Sequence, residues 1–244
     1  MNFHINYKFV VAGFLMIISS FGLLSQQQDT PSSDLLESWN ALEANYEVSD
    51  KINLNAEAQF RLKSFGNTYN QAFVEFQTVY APWKFLEFGL GYRNIDKLDD
   101  KGKKQGHENF HRYHAFVQGN TSVGRADFGV RVQHQTKREV GSLTGPKDNS
   151  YWRTKLNFKY NIRNWKLDPR IGMEFFMQDQ LDPKNSYDKF RFSLGTKLKF
   201  KKRKSLLIKY QFEKEVHSTN PIQSHVLSLR YGLSLKPKTP VDNS

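Results

Sequence analysis

The sequence predicts an all-β chain: a transmembrane, antiparallel, up-and-down β-barrel of about ten to twelve strands occupying residues 39–235. Three observations predict it: apolar and polar residues alternate with period two in segment after segment, short and longer connections alternate between those segments, and tryptophans and tyrosines gather at segment ends.

The alternation is clearest in Ile52–Leu62. Ile52, Leu54, Ala56, Ala58, Phe60 and Leu62 alternate with Asn53, Asn55, Glu57, Gln59 and Arg61. Successive side chains of a strand point to opposite faces, so this strand has one apolar and one polar side. The same pattern marks 85–93, 125–137, 152–162 and 189–198, with weaker versions at 39–48, 69–81, 110–119, 166–178, 205–216 and 223–235. The mature part of the chain has no comparable helical period. That makes eleven strands, whereas bacterial outer-membrane barrels usually have an even number. Residues 29–38 are therefore expected to hide a twelfth, with ten as the alternative.

Short turns are expected at Ser49–Lys51, Pro82–Lys84, Ser122–Gly124, Arg163–Asn164 and Phe200–Lys204. Longer links are expected at 63–68, 96–109, 138–150, 179–186 and 217–222. Barrels of this class keep short turns on the periplasmic side and long loops outside. Trp39, Trp83, Trp152 and Trp165 fall near predicted strand ends, and Tyr46, Tyr80 and Tyr160 beside short turns, as interfacial girdles require. A soluble calyx would also alternate, but would turn its polar face outward and pack the aromatics within.

Composition fits a barrel better than its averages suggest. Hydrophobic residues make up 38% of 244, charged residues 25%, and mean hydropathy is -0.67. Lipid-facing and lumen-facing residues cancel within any hydropathy window. The absence of cysteine excludes a disulfide framework, a thiolate metal site and a lipidated N-terminal Cys. The formal charge of +12 is spread along the chain at strand spacing, and no nucleic-acid motif accompanies it.

Ahead of the barrel, a start containing Lys8 precedes a sixteen-residue apolar run, Phe9–Leu24, and an abrupt polar switch after Ser25. This layout reads as a signal peptide over 1–25, with Leu23 departing from the usual small residue before the cut. The run is shorter than the ~20 residues of a spanning helix. Residues 26–38 follow as a periplasmic segment, and 236–244 form a polar tail. The expected location is a bacterial outer membrane, with its lipid as surroundings and the barrel-assembly machinery as partner during biogenesis.

The polar face carries the candidate site. Arg61, Arg93, Arg112, Arg131, Arg153, Arg191 and Arg230 stand with Glu57, Glu75, Glu87 and Glu174 on predicted lumen positions. Arg125, Lys155, Lys159, Arg170, Lys189, Lys197, Lys209, Glu43, Glu47, Asp127, Asp168, Glu213 and Glu215 join them. Rings of Arg and Lys favour anions in a pore. In a narrow barrel the same residues instead fill the lumen as a salt-bridge network, the preferred reading.

Two histidine constellations also stand out in the sequence. His107, His111 and His114 are close in sequence, but the last two face opposite sides of one strand and make a poor metal site. His134 and His225 fall on the apolar face near loop ends, as does Asn94. A lipid-directed hydrolase would need a serine beside one of them. Ser224 alternates inward, and no other serine is placed on that face. No phosphate loop, nucleotide fingerprint or paired-carboxylate motif is present, so no cofactor is expected.

From Trp39 onward the chain resembles the domain of unknown function 2490 family of predicted outer-membrane barrels. The matching pieces are Trp39, Glu57–Leu62, Gly89–Arg93, His111-Arg112, Tyr151-Trp152-Arg153, Pro169 with Glu174-Phe175-Phe176, Arg191–Gly195 and His225–Leu227, in that order. The resemblance implies a barrel and its location and carries over no catalytic residue. The nine polar residues after Tyr231–Leu235 depart from the aromatic ending common in such barrels. The sequence thus favours a non-enzymatic barrel, structural or a small anion-preferring pore, over a hydrolase or a loop-borne surface receptor.

Overall fold

A computed structural model describes residues 33–63, 68–99, 105–141, 148–179, 188–201, 203–216 and 221–236. The expected signal peptide and most of the polar tail lie outside the described residues. Eleven strands form one closed barrel: β1 (Ser33–Ser49), β2 (Ile52–Lys63), β3 (Thr68–Trp83), β4 (Leu86–Asp99), β5 (Gly106–Val123), β6 (Ala126–Val140), β7 (Asp148–Tyr160), β8 (Pro169–Gln178), β9 (Lys189–Phe200), β10 (Lys204–Glu215) and β11 (Ile222–Leu235).

Every sequential pair is antiparallel, and the barrel closes through a parallel pairing of β1 with β11, from Ser33↔Ile222 to Tyr46↔Leu235. An odd strand number makes this unavoidable, because the first and last strands of an up-and-down sheet then run the same way. Parallel ladders pair with slanted, evenly spaced hydrogen bonds, so closure still removes both sheet edges. Among the described residues no further strand precedes Trp39: Ser33–Ser38 extend β1, and 29–32 lie outside the described residues.

The two-class connection pattern holds with three corrections. Short turns are two residues long at 50–51, 84–85 and 124–125, whereas the other end of the barrel carries connections of four to ten residues. The predicted loops at 96–109 and 138–150 shrink to 100–105 and 141–147, because β4–β7 continue their alternation into polar sequence. The third correction concerns 161–168, eight residues at the short-turn end, where 166–168 were expected to be strand. Asn164 is left-handed there (φ 61°), and the Ile162 N–H donates to the Asp168 carboxylate (3.2 Å). Pro169, which lacks an N–H, then opens β8.

The apolar face points outward, the reverse of a soluble calyx. Leu90 is 69% exposed, Leu42 64% and Phe76 58%, while Gln59, Glu174 and Gln211 are buried inside. On β4 the outward row runs Leu86, Phe88, Leu90, Tyr92; on β6 it runs Phe128, Val130, Val132. Trp83, Trp152 and Trp165 are exposed, but Trp39 is not. With β1 beginning at Ser33, Trp39 sits inside the strand, six residues from its start, and shares the inward parity of Glu37 and Ala41.

The lumen is unevenly filled. Towards the longer connections it is packed by Trp39, Phe73, Ile95, Phe110, Phe176 and Val226, all buried. Towards the short turns, inward positions are held by Gly129, Gly172, Gly195 and Gly232, and the space opens. Gly195 is demanded by close approach: a Cβ there would lie 2.3 Å from the Ile208 carbonyl oxygen on β10. Gly195→Ala is expected to destabilise the barrel by roughly 1–3 kcal/mol. Gly119→Ala, whose Cβ meets only the Phe85 carbonyl at 3.9 Å, should be nearly neutral. Urea unfolding of the two variants, followed by tryptophan fluorescence, checks the difference.

Candidate functional site

The site is the lumen wall, and register sets its charge pattern. One row of directly opposed residues runs Glu43, Glu57, Glu75, Arg93, Arg112, Lys137 across β1–β6. A second runs Gln118, Arg131, Lys155, Glu174, Arg191, Glu213 across β5–β10. Since inward residues recur every second position, charges separated by strands in sequence become neighbours across the sheet.

Three carboxylates in these rows, Glu75, Glu174 and Glu213, each collect more than one cation. Glu75 accepts from Arg93 Nε (2.6 Å) and Arg112 Nη2 (3.2 Å), with buried His114 at 4.0 Å. Glu174 accepts from Arg153 (2.5 Å), Lys155 (3.1 Å) and Arg191 (3.1 Å). Glu213 holds Lys189 (3.0 Å) and the other face of Arg191. Arg230 bridges Glu43 (3.1 Å) and Glu57 (3.2 Å). Buried ions survive when paired and hydrogen-bonded in this way.

A layer of rings and cations lies above the network, towards the longer connections. The Arg61 guanidinium stacks on Trp39 at 3.7 Å, and Arg93 covers Phe73 at 3.5 Å. Arg191 lies between Trp39 (5.0 Å) and Phe176 (5.2 Å), and Lys137 sits 3.7 Å over Phe110. Trp39 Nε1–H donates to Glu37 Oε2 (2.7 Å). Cation–π contact of this kind strengthens as water is excluded. Below the layer lies a cavity of about 260 Å³, bordered by Glu57, Glu75, Arg112, His114, Arg153 and Arg230. A larger cavity of about 570 Å³ continues towards the short turns and shares Arg131, Lys155 and Arg230 with it.

All eleven charged residues chosen from the sequence occupy inward positions, with different partners. Arg93, Arg112, Arg153, Arg191, Arg230, Glu57, Glu75 and Glu174 join ion pairs. Arg61 bonds Gln59 Oε1 (2.7 Å) and Arg131 bonds Gln118 Oε1 (2.6 Å), while Glu87 accepts from Asn120 (3.0 Å). Arg125 and Asp168, expected on the wall, fall in turns. Sequence reading missed Glu37, placed before the barrel, and the inward rings of Trp39, Phe73, Phe110, Phe116 and Phe176. Parity with neighbouring polar residues was the available signal: Phe73 shares that of Glu75 and Gln77. Gly89 makes room for Phe116, since its Cβ would meet that ring at 2.0 Å.

The outer histidines sit apart from this network. His134 faces Asp179 (Nε2 to Oδ2, 3.3 Å) and packs on Trp152, its ring centroid 4.9 Å away. His225 Nδ1 pairs with the Tyr210 hydroxyl (2.7 Å), and His111 Nδ1 with that of Tyr92 (2.6 Å). Ser224 is buried on the inward side. Ser150 does lie on the outward side, but its hydroxyl pairs with Thr136 (2.9 Å). Among the described residues neither His134 nor His225 hydrogen-bonds a serine or threonine hydroxyl. His111 and His114 lie on opposite faces of β5, as their spacing requires.

No curated protein and no solved structure matches the chain. A family model matches residues 36–223, from β1 to the start of β11, and the chain therefore belongs to the family of proteins of unknown function DUF2490.

Proposed function

We propose that the chain is an integral β-barrel of a bacterial outer membrane, non-enzymatic, with its lumen occluded towards the longer connections. The carrying observation is the outward apolar face. Soluble monomers rarely expose contiguous apolar patches beyond a few hundred Å², whereas here such residues ring the barrel. The short-turn rim supports the same reading: Trp83, Phe85, Trp165 and Phe200 are exposed beside Lys84, Lys166, Lys201 and Arg203. Aromatic rings and cations together suit a headgroup interface.

The packed ring–cation layer favours a closed lumen over an anion-preferring pore. Refolding the chain into liposomes should give a band that resists carbonate extraction, and planar bilayers containing it should show no single-channel steps. Extraction by carbonate would defeat membrane integration. Stable anion-selective steps would replace the closed barrel with a pore.

A further inference from the structure

The cavity of about 570 Å³ at the short-turn end has chemistry that the central network does not use. Its wall brings Lys159, Arg170 and Lys209 into one register row, with Gly195 between the last two. Lys159 stands directly opposite Arg170, and Arg131 directly opposite Lys155. Like charges so placed destabilise a sheet. Among the described residues lining the cavity the one carboxylate is Asp127, which accepts from Lys159 (2.8 Å) and from the Ser122 hydroxyl (2.7 Å), while Lys155 is held by Glu174 beyond the cavity. Among the described residues Arg170 and Lys209 make no ion pair, and the buried Nε atoms of Arg170 and Arg230 have no hydrogen-bond partner.

We infer that this cavity binds a small phosphate-bearing solute entering from the short-turn end. The volume lies in the range of small-molecule sites. Guanidinium forks match phosphate geometry bidentately, and ammonium groups add point charge. Asn120, Asn157 and Ser193 supply neutral donors and acceptors for a polar body attached to the phosphate. The layer of Trp39, Phe73 and Phe176 closes the far end, so the site is a blind pocket rather than a conduit. The inference concerns the lumen alone and stands whether or not the outer face lies in lipid.

Isothermal titration of the refolded full chain, in zwitterionic micelles with inorganic pyrophosphate, tests it. One saturable site is expected, with Kd below about 1 mM. Lys209→Gln should weaken binding about tenfold. Asp127→Asn frees Lys159 and removes a like charge, so it should tighten binding, an effect that misfolding does not produce. Lys84→Gln, on the outer rim, should change nothing. Absence of saturation by folded protein would overturn the site. So would a Kd unmoved by both lumen substitutions, or one weakened equally by Lys84→Gln. Loss of carbonate resistance in liposomes with pyrophosphate binding intact would defeat the membrane reading alone.

Discussion

Replacing Glu174 by Ala is expected to lower the stability of the barrel by about 3–5 kcal/mol, because removing one partner of a buried ion pair strands the others. Glu174 is 6% exposed, and its carboxylate sits among Arg153, Lys155 and Arg191, joined to each by a charge-assisted contact. Among the described residues, only Arg191 of those cations has another carboxylate, Glu213. Lys155 and Arg153 would be left facing each other and Arg131 across a confined space. Glu174→Gln keeps the shape but not the charge and should fall between wild type and Ala. Glu87→Gln, at a carboxylate that among the described residues accepts from Asn120 alone, should cost less than 1 kcal/mol, in the range of one neutral hydrogen bond. Unfolding in urea, read by loss of the heat-modifiable gel band, ranks the three. Equal midpoints for Glu174→Ala and Glu87→Gln would mean that water screens the lumen throughout.

Introducing Arg at Leu90 should destabilise the chain by roughly 2–4 kcal/mol in a bilayer, since a charge on the lipid face near the midplane carries that cost. Leu90 is the most exposed large apolar residue on β4 and lies between Phe88 and Tyr92 on the outward row. In water the same change touches nothing and would stay within ±0.5 kcal/mol, as exposed substitutions usually do. The effect therefore reads the surroundings of the outer face directly. Reversible refolding into short-chain lipid vesicles gives the number. A change below 0.5 kcal/mol there would contradict the membrane reading, whatever the barrel's shape.

The fold was legible because a β-barrel writes its two faces into alternating positions. Ile52–Leu62 announces its outward and inward sides residue by residue, and β2 keeps that assignment in three dimensions. Strand ends were less legible. Alternation fades into polar sequence at 96–99 and 106–109, yet ladder hydrogen bonds continue there, because backbone pairing does not require an apolar face. Trp39 looked interfacial for a related reason: its strand begins six residues earlier, through pairing with β11, the partner most distant in sequence.

The sequence by itself determined the all-β class, the two faces of its clearest strands, the alternation of short and longer connections and the family. Only the tertiary structure decided the parallel closure at eleven strands, which carboxylate gathers which cations, and where the lumen is packed and where it is open. Alternation fixes the face each side chain points to, a local property of the chain. Which charges meet across that face depends on register between strands far apart in sequence. Glu174 acquires Arg153 and Arg191 only when β7 and β9 close on β8 from either side.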